Sequence, residues 1–210
     1  MIRLNVPYLP DSQIAAKADS LLTKAGLDSL PVEIEFLIES HYGIHIVPSD
    51  ELLRFFGIDG YSTSDFSAIY VDGFVYRQRP YRYRFTIAHE LGHRVLHEQY
   101  IRRVTFSSPD EWVNVECELD KADYARMEYQ ANVFAGRILV PQSHLEVEFR
   151  RELSAIRPQI KQALDGGLRR ADYVQYALST IADELSSRFE VSAEALRIRM
   201  ESDSLDELIE

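Results

Sequence analysis

The residues best placed to do chemistry in this chain are His89, Glu90 and His93, within the run FTIAHELGHRVLH that begins at Phe85. Two histidines four positions apart project from one face of a helix, where both imidazoles can hold a single metal ion. Glu90 stands beside them, placed to take a proton from water that the ion activates. The chemistry this points to is hydrolysis. A lone H-E-x-x-H also arises by chance in amphipathic helices, so its weight depends on a third ligand and on the elements around it.

A catalytic zinc ion takes three protein ligands and keeps a fourth position for water or substrate. The chain has one cysteine, Cys117, which excludes an intrachain disulfide and any multi-cysteine metal site. The ligands must therefore be His and carboxylate, a set that suits zinc and also manganese or iron. A third His six residues past the second, after an intervening Gly, would mark the metzincin pattern. Those positions hold Gln99 and Leu96, so the third ligand is a carboxylate on a later segment. Glu128, in the run EYQANVFAGRILVP, is the best candidate. Glu128, Ala131, Asn132 and Ala135 share one helical face at offsets of three and four. The alanines would let this helix approach the HELGH helix closely, and Asn132 could accept a hydrogen bond from the free ring nitrogen of a ligand His. Glu116, Glu118, Asp120 and Asp123 are rivals for the same role. His97 extends the row of histidines, but it lies about 12 Å along the helix axis from His89, too far for one ion to bind both. A helix-end or supporting role suits it better.

The elements that must position these residues follow from periodicity and caps. Ile14, Ala18, Leu21, Leu22 and Ala25 form one apolar stripe, which predicts a helix over 12–25 that Asp11 or Ser12 caps and Gly26 stops. A second helix is expected from Pro31 to before Gly43, then a short strand around Ile44–Val47. Residues 49–66 read as mixed loop. Two β-rich runs flank Asp72-Gly73, which predicts a hairpin with strands at 67–71 and 74–78. The long helix with the His pair is expected over 81–98, loop over 101–120, and a third strong helix over 121–138. Beyond Pro141 the chain reads as helical, with a break near Asp165-Gly166-Gly167, a stripe of Val174, Leu178, Ile181, Leu185 and Phe189, and a last helix capped by Ser192. The expected fold class is α+β: a small antiparallel sheet of about three strands packed on the HELGH helix and its neighbours. Residues 1–140 would form the metal-binding domain and 141–210 a helical C-terminal region with an acidic tail.

Composition limits the alternatives. The chain of 210 residues is 46% hydrophobic and 27% charged, an ordinary balance for a globular protein with a core of its own. No stretch is long and apolar enough to span a membrane, and MIRLNVPYLPDSQ lacks the features of a signal peptide. A cytoplasmic protein is expected. The net charge of -11 opposes sequence-independent binding to a phosphate backbone. Four arginines alternate with three tyrosines between Tyr76 and Arg84, the composition of a nucleic-acid stacking surface. The blander reading pairs those arginines with acids of the 110–123 loop or leaves them in solvent. The segment FEVSAEALRIRM looks like the second half of a helix-turn-helix, but residues 141–210 hold nine Lys and Arg against fourteen Asp and Glu, which disfavours DNA reading. The tail ESDSLDELIE, with five acids and no base, reads as a solvated terminus.

The motifs together resemble the ImmA/IrrE family of bacterial and phage metallopeptidases. The matching pieces are RFTIAHELGHRVLH, EYQANVFAGRILVP, the later IADELSSRFEVSAEALRIRM and the opening PVEIEFLIESHYGIHIVP, spanning about 12–200. The resemblance implies that His89, His93 and Glu128 are the metal ligands and Glu90 the catalytic base. It also implies a zinc-dependent endopeptidase whose substrate is a helix-turn-helix repressor, switching on stress or mobile-element genes. Arg94 departs from the family, which more often has an apolar residue after the second His. Two other classes compete: a non-catalytic regulatory protein that docks a repressor or toxin partner around a structural metal, and a metallohydrolase of small molecules.

Overall fold

The computed structural model describes residues 1–106, 108–167 and 169–209. Ser107, in the segment expected to be loop, Leu168, and Glu210 of the acidic tail lie outside the described residues. The chain divides into two compact units, Met1–Leu139 and Val140–Glu210. No helix is long and apolar enough to cross a membrane among the described residues.

In the first unit, α1 (Asp11–Ala25) buries Ile14, Ala18, Leu21 and Leu22, and the left-handed Gly26 ends it. A short α2 (Ile34–Phe36) continues as a π turn over Leu37–His41 and buries Ile34, Leu37 and Ile38. The helix thus begins at Ile34 rather than at Pro31. After β1 (His45–Ser49) come α3 (Leu52–Phe56), β2 (Gly60–Ser62) and β3 (Ala68–Asp72). The segment expected as mixed loop therefore contains a helix and a strand.

The fold class is α+β, but the sheet is mixed rather than antiparallel. Its order is β1-β3-β2. β1 runs parallel to β3, with Ile46 opposite Ile69, and β2 runs antiparallel to it, with Tyr61 opposite Tyr70. The chain between β1 and β3 includes α3 and β2, which is long enough to return to the same end of the sheet, as parallel pairing requires. The expected strand at 74–78 does not form. Asp72 instead caps α4 (Gly73–Gln78), accepting from the N–H groups of Phe74 and Val75 at 2.9 and 3.2 Å. The same carboxylate accepts from Leu53 N–H at 2.9 Å. A buried Asp with three N–H partners favours a helix start over a hairpin turn.

Pro80 at the first turn opens α5 (Pro80–Ile101), which buries Ile87, Ala88, Leu91 and Leu96 along with several polar residues. The 101–120 segment is not mostly loop. Ser108 caps α6 (Pro109–Glu118), accepting from Glu111 N–H at 3.3 Å, with Pro109 in the first turn. No residue of α6 is buried, so it lacks the apolar stripe that would mark a helix in sequence. α7 (Lys121–Leu139) packs on both α1 and α5. At the α5–α7 crossing, a Cβ on Gly92 would lie 3.2 Å from Ala131 Cα and 3.1 Å from Phe134 Cδ1. The backbones meet where neither helix carries more than a methyl group. Gly60 makes the same kind of approach between β2 and α5: a Cβ there would fall 2.9 Å from Thr86 Cγ2.

The second unit comprises α8 (Gln142–Asp165), α9 (Arg170–Phe189), α10 (Ala193–Ser202) and a 3-10 turn at Leu205–Leu208. Ser192 caps α10 as expected, accepting from Ala195 N–H. Arg188 and Arg151 both pair with the largely buried Glu148, at 2.9 and 2.8 Å. The tail is not a freely solvated terminus: Leu205 is 4% and Ile209 0% exposed, and the Asp203 side chain is buried in an ion pair with Arg199 at 2.8 Å.

The first residues of the chain are tied to α7. Asp123 accepts from the backbone N–H groups of Leu4, Asn5 and Val6 at 2.8, 2.9 and 3.0 Å. Ile2 pairs with Leu119 in an isolated bridge. Burial works to raise the Asp123 carboxyl, and the three N–H donors outweigh it, holding it below its ordinary value of 3.8. Replacing Asp123 with Ala strands these donors, and urea unfolding should show a loss of roughly 3 kcal/mol at neutral pH. A folded-state value below the unfolded one stabilises at pH above about 4 and is lost as pH falls through it. The wild-type advantage should therefore shrink toward pH 3, and an advantage that persists there would contradict this account.

Candidate metal centre

α5 and α7 bring two imidazoles and a carboxylate together. His89 Nε2 and His93 Nε2 are 3.0 Å apart. Glu128 Oε2 lies 3.3 Å from the first and Glu128 Oε1 3.2 Å from the second. Ligands at 2.0–2.1 Å from a tetrahedral ion are separated by about 3.3 Å. Each of these distances is close to one edge of such a tetrahedron, though the two to Glu128 end on different oxygens, and one donor atom from each residue lies within 4.8 Å of the other two. The donor set of two imidazoles and a carboxylate suits zinc. Among the described residues, His89, His93 and Glu128 are the one such group within reach of a common centre.

The rival carboxylates do not reach this point. Asp123 is spent on the backbone of Leu4, Asn5 and Val6. Asp120 accepts from Ala122 and Asp123 N–H at the start of α7 and lies 3.8 Å from Arg3. Glu118 is exposed, and Glu116 bonds to Tyr124. His97 is fully buried and outside the cluster. It sits within α5, not at its end, and contacts His93 and Gln130.

Supporting contacts surround the triangle. Asn132 Oδ1 is 3.0 Å from His89 Nδ1, the pairing its position one turn beyond Glu128 predicts. The Ser62 hydroxyl donates to Glu90 Oε2 at 2.6 Å, which ties β2 to the candidate base. Both Ser62 and Glu90 are buried. Neither Ser62 nor Gln130 was identified from sequence, because each depends on a contact between distant segments that no local spacing announces. The Tyr124 phenol is raised by burial, by the negative fields of Glu128 and Glu90 and by its bond to Glu116, so it stays protonated. Arg94, the departure from the family pattern, packs its guanidinium over Tyr42 and Phe66 at 5.6 and 5.8 Å from the ring centres and pairs with Glu98.

The Arg–Tyr run is engaged inside the first unit. Arg82 makes a two-pronged bond to Asp59 at 2.5 and 2.7 Å. Arg84 donates to Val32 O at 2.7 Å and lies 3.7 Å from Glu35. Arg77 pairs with Asp50 at 3.5 Å, and Arg79 lies over the Phe74 ring. The acids that Arg77, Arg82 and Arg84 meet in these contacts, Asp50, Asp59 and Glu35, come from residues 35–59.

The electrostatics of the triangle favour a cation. Two bare Nε2 lone pairs 3.0 Å apart repel unless a metal ion or a proton lies between them. Burial works to lower the His89 imidazole, but the bond to Glu128 and the fields of Glu90 and Glu128 outweigh it and hold it raised. Burial likewise works to raise Glu128, and the closeness of His89 and His93 outweighs it and holds it well below the carboxylate range. Burial and the neighbouring His93 push His97 down to about 3, so it is neutral.

Residues 74–201 match the Peptidase M78 family, described as the IrrE N-terminal-like domain. Among solved structures, a Mycobacterium tuberculosis transcriptional regulator is similar at 18% identity and a TM-score of 0.49, over 90% of this chain and 46% of that one. The chain thus spans about half the length of that protein. No curated protein matches the sequence.

As pH falls through the raised His89 value, zinc must displace a proton from that ring, while Glu128 is already ionised. Below the raised His89 value, affinity should drop about tenfold per pH unit, with about one proton released per ion bound. Calorimetry in buffers of different ionisation enthalpy reads both quantities. Affinity that does not depend on pH, with no proton released, would show that no proton occupies the site.

Proposed function

The chain belongs to the IrrE N-terminal-like peptidase family, and from this premise we propose that it is a zinc-dependent endopeptidase that cuts a protein substrate. The observation that carries the reading is a triangle of His89, His93 and Glu128 beside a buried glutamate that is not one of its members. A structural zinc site is closed by four protein ligands. Here three side chains converge, and Glu128 keeps 30% of its side chain exposed, which favours an open, working position over a structural one. That distinction supports an enzyme over the alternative of a regulatory binding protein with a structural metal.

A zinc ion held at this triangle supplies Lewis acidity, activating water and polarising a carbonyl. Glu90 is the group that moves the proton. It takes one from the attacking water and delivers it to the leaving nitrogen, so that the amine departs neutral. Ser62 holds Glu90 Oε2 by its hydroxyl, which fixes the plane of the carboxylate and leaves Oε1 for the proton transfer.

The sheet supplies a place for an extended peptide. The expected edge at 67–71 is in fact the central strand β3, and the free edge nearest the base is β2. Thr63 N–H donates to Ala68 O and Asp72 N–H to Asp59 O across the β2–β3 pair. The alternation of antiparallel pairing then turns the backbone groups of Gly60 and Ser62 outward. A substrate strand added to that edge would lie beside Ser62 and its partner Glu90. This favours a peptide over a small molecule. The specific substrate proposed is a helix-turn-helix repressor, on the strength of the family resemblance, and the setting is regulation of stress or mobile-element genes in the cytoplasm.

The test mixes zinc-loaded protein with a candidate repressor and reads products by intact mass. A single cut that a chelator blocks is expected. Glu90→Gln should keep its metal and lose at least about 100-fold in rate; retained cleavage would overturn the assigned mechanism. Glu128→Ala should lose zinc on dialysis, and full occupancy in it would move the third ligand elsewhere. Co-elution without cleavage would support the binding-protein alternative.

A further inference from the structure

His93 stands at the head of a file of buried polar atoms that ends on a main-chain carbonyl. His93 Nδ1 is 3.1 Å from His97 Nδ1. The other ring nitrogen of His97, Nε2, is 2.9 Å from Gln130 Oε1. Gln130 Nε2 is 2.8 Å from the carbonyl oxygen of Pro7. His97 and Gln130 have no exposed surface, and His93 is 6% exposed.

The direction of every bond in this file follows from its far end. A carbonyl oxygen only accepts, so Gln130 must point its NH2 group at Pro7. Its own oxygen is then left facing His97, and that oxygen also only accepts. His97 must therefore carry its ring proton on Nε2. A neutral imidazole has one N–H, so His97 Nδ1 is bare and accepts from His93. His93 in turn holds its proton on Nδ1. Its Nε2 lone pair is then free, facing His89 Nε2 at 3.0 Å and Glu128 Oε1 at 3.2 Å. Free histidine prefers the opposite tautomer, with the proton on Nε2, which cannot bind a metal ion through that atom.

We propose that Pro7, Gln130 and His97 form a directional lock that holds His93 in the Nδ1–H tautomer and keeps its Nε2 free for a metal ion. His97 and Gln130 are positioning residues, acting on the ion through His93. The purpose of the lock rests on the metallopeptidase reading, but the tautomer it enforces does not. The two ligand histidines differ in this respect. His89 leans on Asn132, which is exposed, so solvent competes for that amide. Behind His93, His97 and Gln130 are closed off from water, and the file is anchored on the main-chain carbonyl of the exposed Pro7, an atom whose accepting role cannot reverse. Burying this many polar groups is costly unless every one is paired, and here each finds a partner in the one order that frees the metal-facing nitrogen.

The experiment is a long-range 15N–1H correlation spectrum of metal-free, 15N-histidine-labelled protein, which reports the proton position on each ring. The wild type should show Nδ1–H for His93 and Nε2–H for His97. Gln130→Met keeps the volume and removes the acceptor. It should mix the tautomers of both rings and weaken zinc binding by about 10- to 100-fold in competition with a chromophoric chelator. His97→Asn, whose amide oxygen can replace the bare Nδ1, should hold His93 as Nδ1–H and recover most of the affinity, whereas His97→Leu should not. An Nε2–H signal for His93 in the wild type would overturn the lock, and so would unchanged tautomers in a folded Gln130→Met. A wild type with the expected tautomers but no zinc affinity would uphold the lock and defeat the metallopeptidase reading instead.

Discussion

Gly92 and Ala131 hold α5 and α7 at a separation that leaves room for no larger side chain between their backbones. A Cβ on Gly92 would meet Ala131 Cα at 3.2 Å and its carbonyl oxygen at 3.3 Å. This contact sits one residue before His93 and one turn after Glu128. It therefore sets how far the carboxylate on one helix stands from the imidazoles on the other. A metal site tolerates deviations of about 0.2 Å in its ligand distances, and a methyl group inserted here would shift a helix by about that much. The small residues at the crossing are thus a requirement of the centre and not merely of the core.

The crossing also gathers groups that repel one another unless something neutral or positive intervenes. Burial and the nearby Glu128, Glu116 and Glu90 keep the Tyr124 phenol protonated, and the Nε2 atoms of two imidazoles face each other at 3.0 Å. The surrounding structure answers each group separately. Ser62 donates to Glu90, Asn132 and Gln130 orient the two ligand rings directly or through His97, and Asp123 is withdrawn from the site by three backbone donors. Acidic residues that share one helix, Asp123 and Glu128, thus serve unrelated ends. What separates them is five residues of helical rotation, which turns one toward the N-terminal segment and the other toward α5.

The residues of the candidate centre were more legible in the sequence than the sheet was. His89, Glu90, His93 and Glu128 lie on two long helices whose stripes and caps are local signals, and the offset from Glu128 to Asn132 is enough to anticipate the bond to His89. Asp72-Gly73 shows where local reading fails. The dipeptide suits a tight turn and a helix start equally well, and the choice is made by Leu53, nineteen residues away, whose N–H reaches the same carboxylate. The Ser-Pro-Asp-Glu start of α6 was a readable cap signature, but with no buried residue behind it no apolar period confirmed it. The parallel pairing of β1 with β3, the Ser62–Glu90 bond and the file from Pro7 to His93 all join segments far apart in the chain, and spacing along a sequence carries no information about them.

The arm formed by Leu4–Pro7 meets α7 through Asp123 and Gln130, across intervals of 117 to 123 residues. Contacts of such range close late, because the loop they complete must first be drawn in against its entropy. On the ribosome this has a further meaning. The two histidines leave the exit tunnel well before Glu128, Gln130 and Asn132, and the arm waits from the outset for a helix not yet made. A nascent chain therefore displays its HELGH helix as an incomplete donor set with an unlocked ring, and the set is completed only when α7 docks. The order of synthesis separates the making of the first helix of the centre from the completion of its donor set.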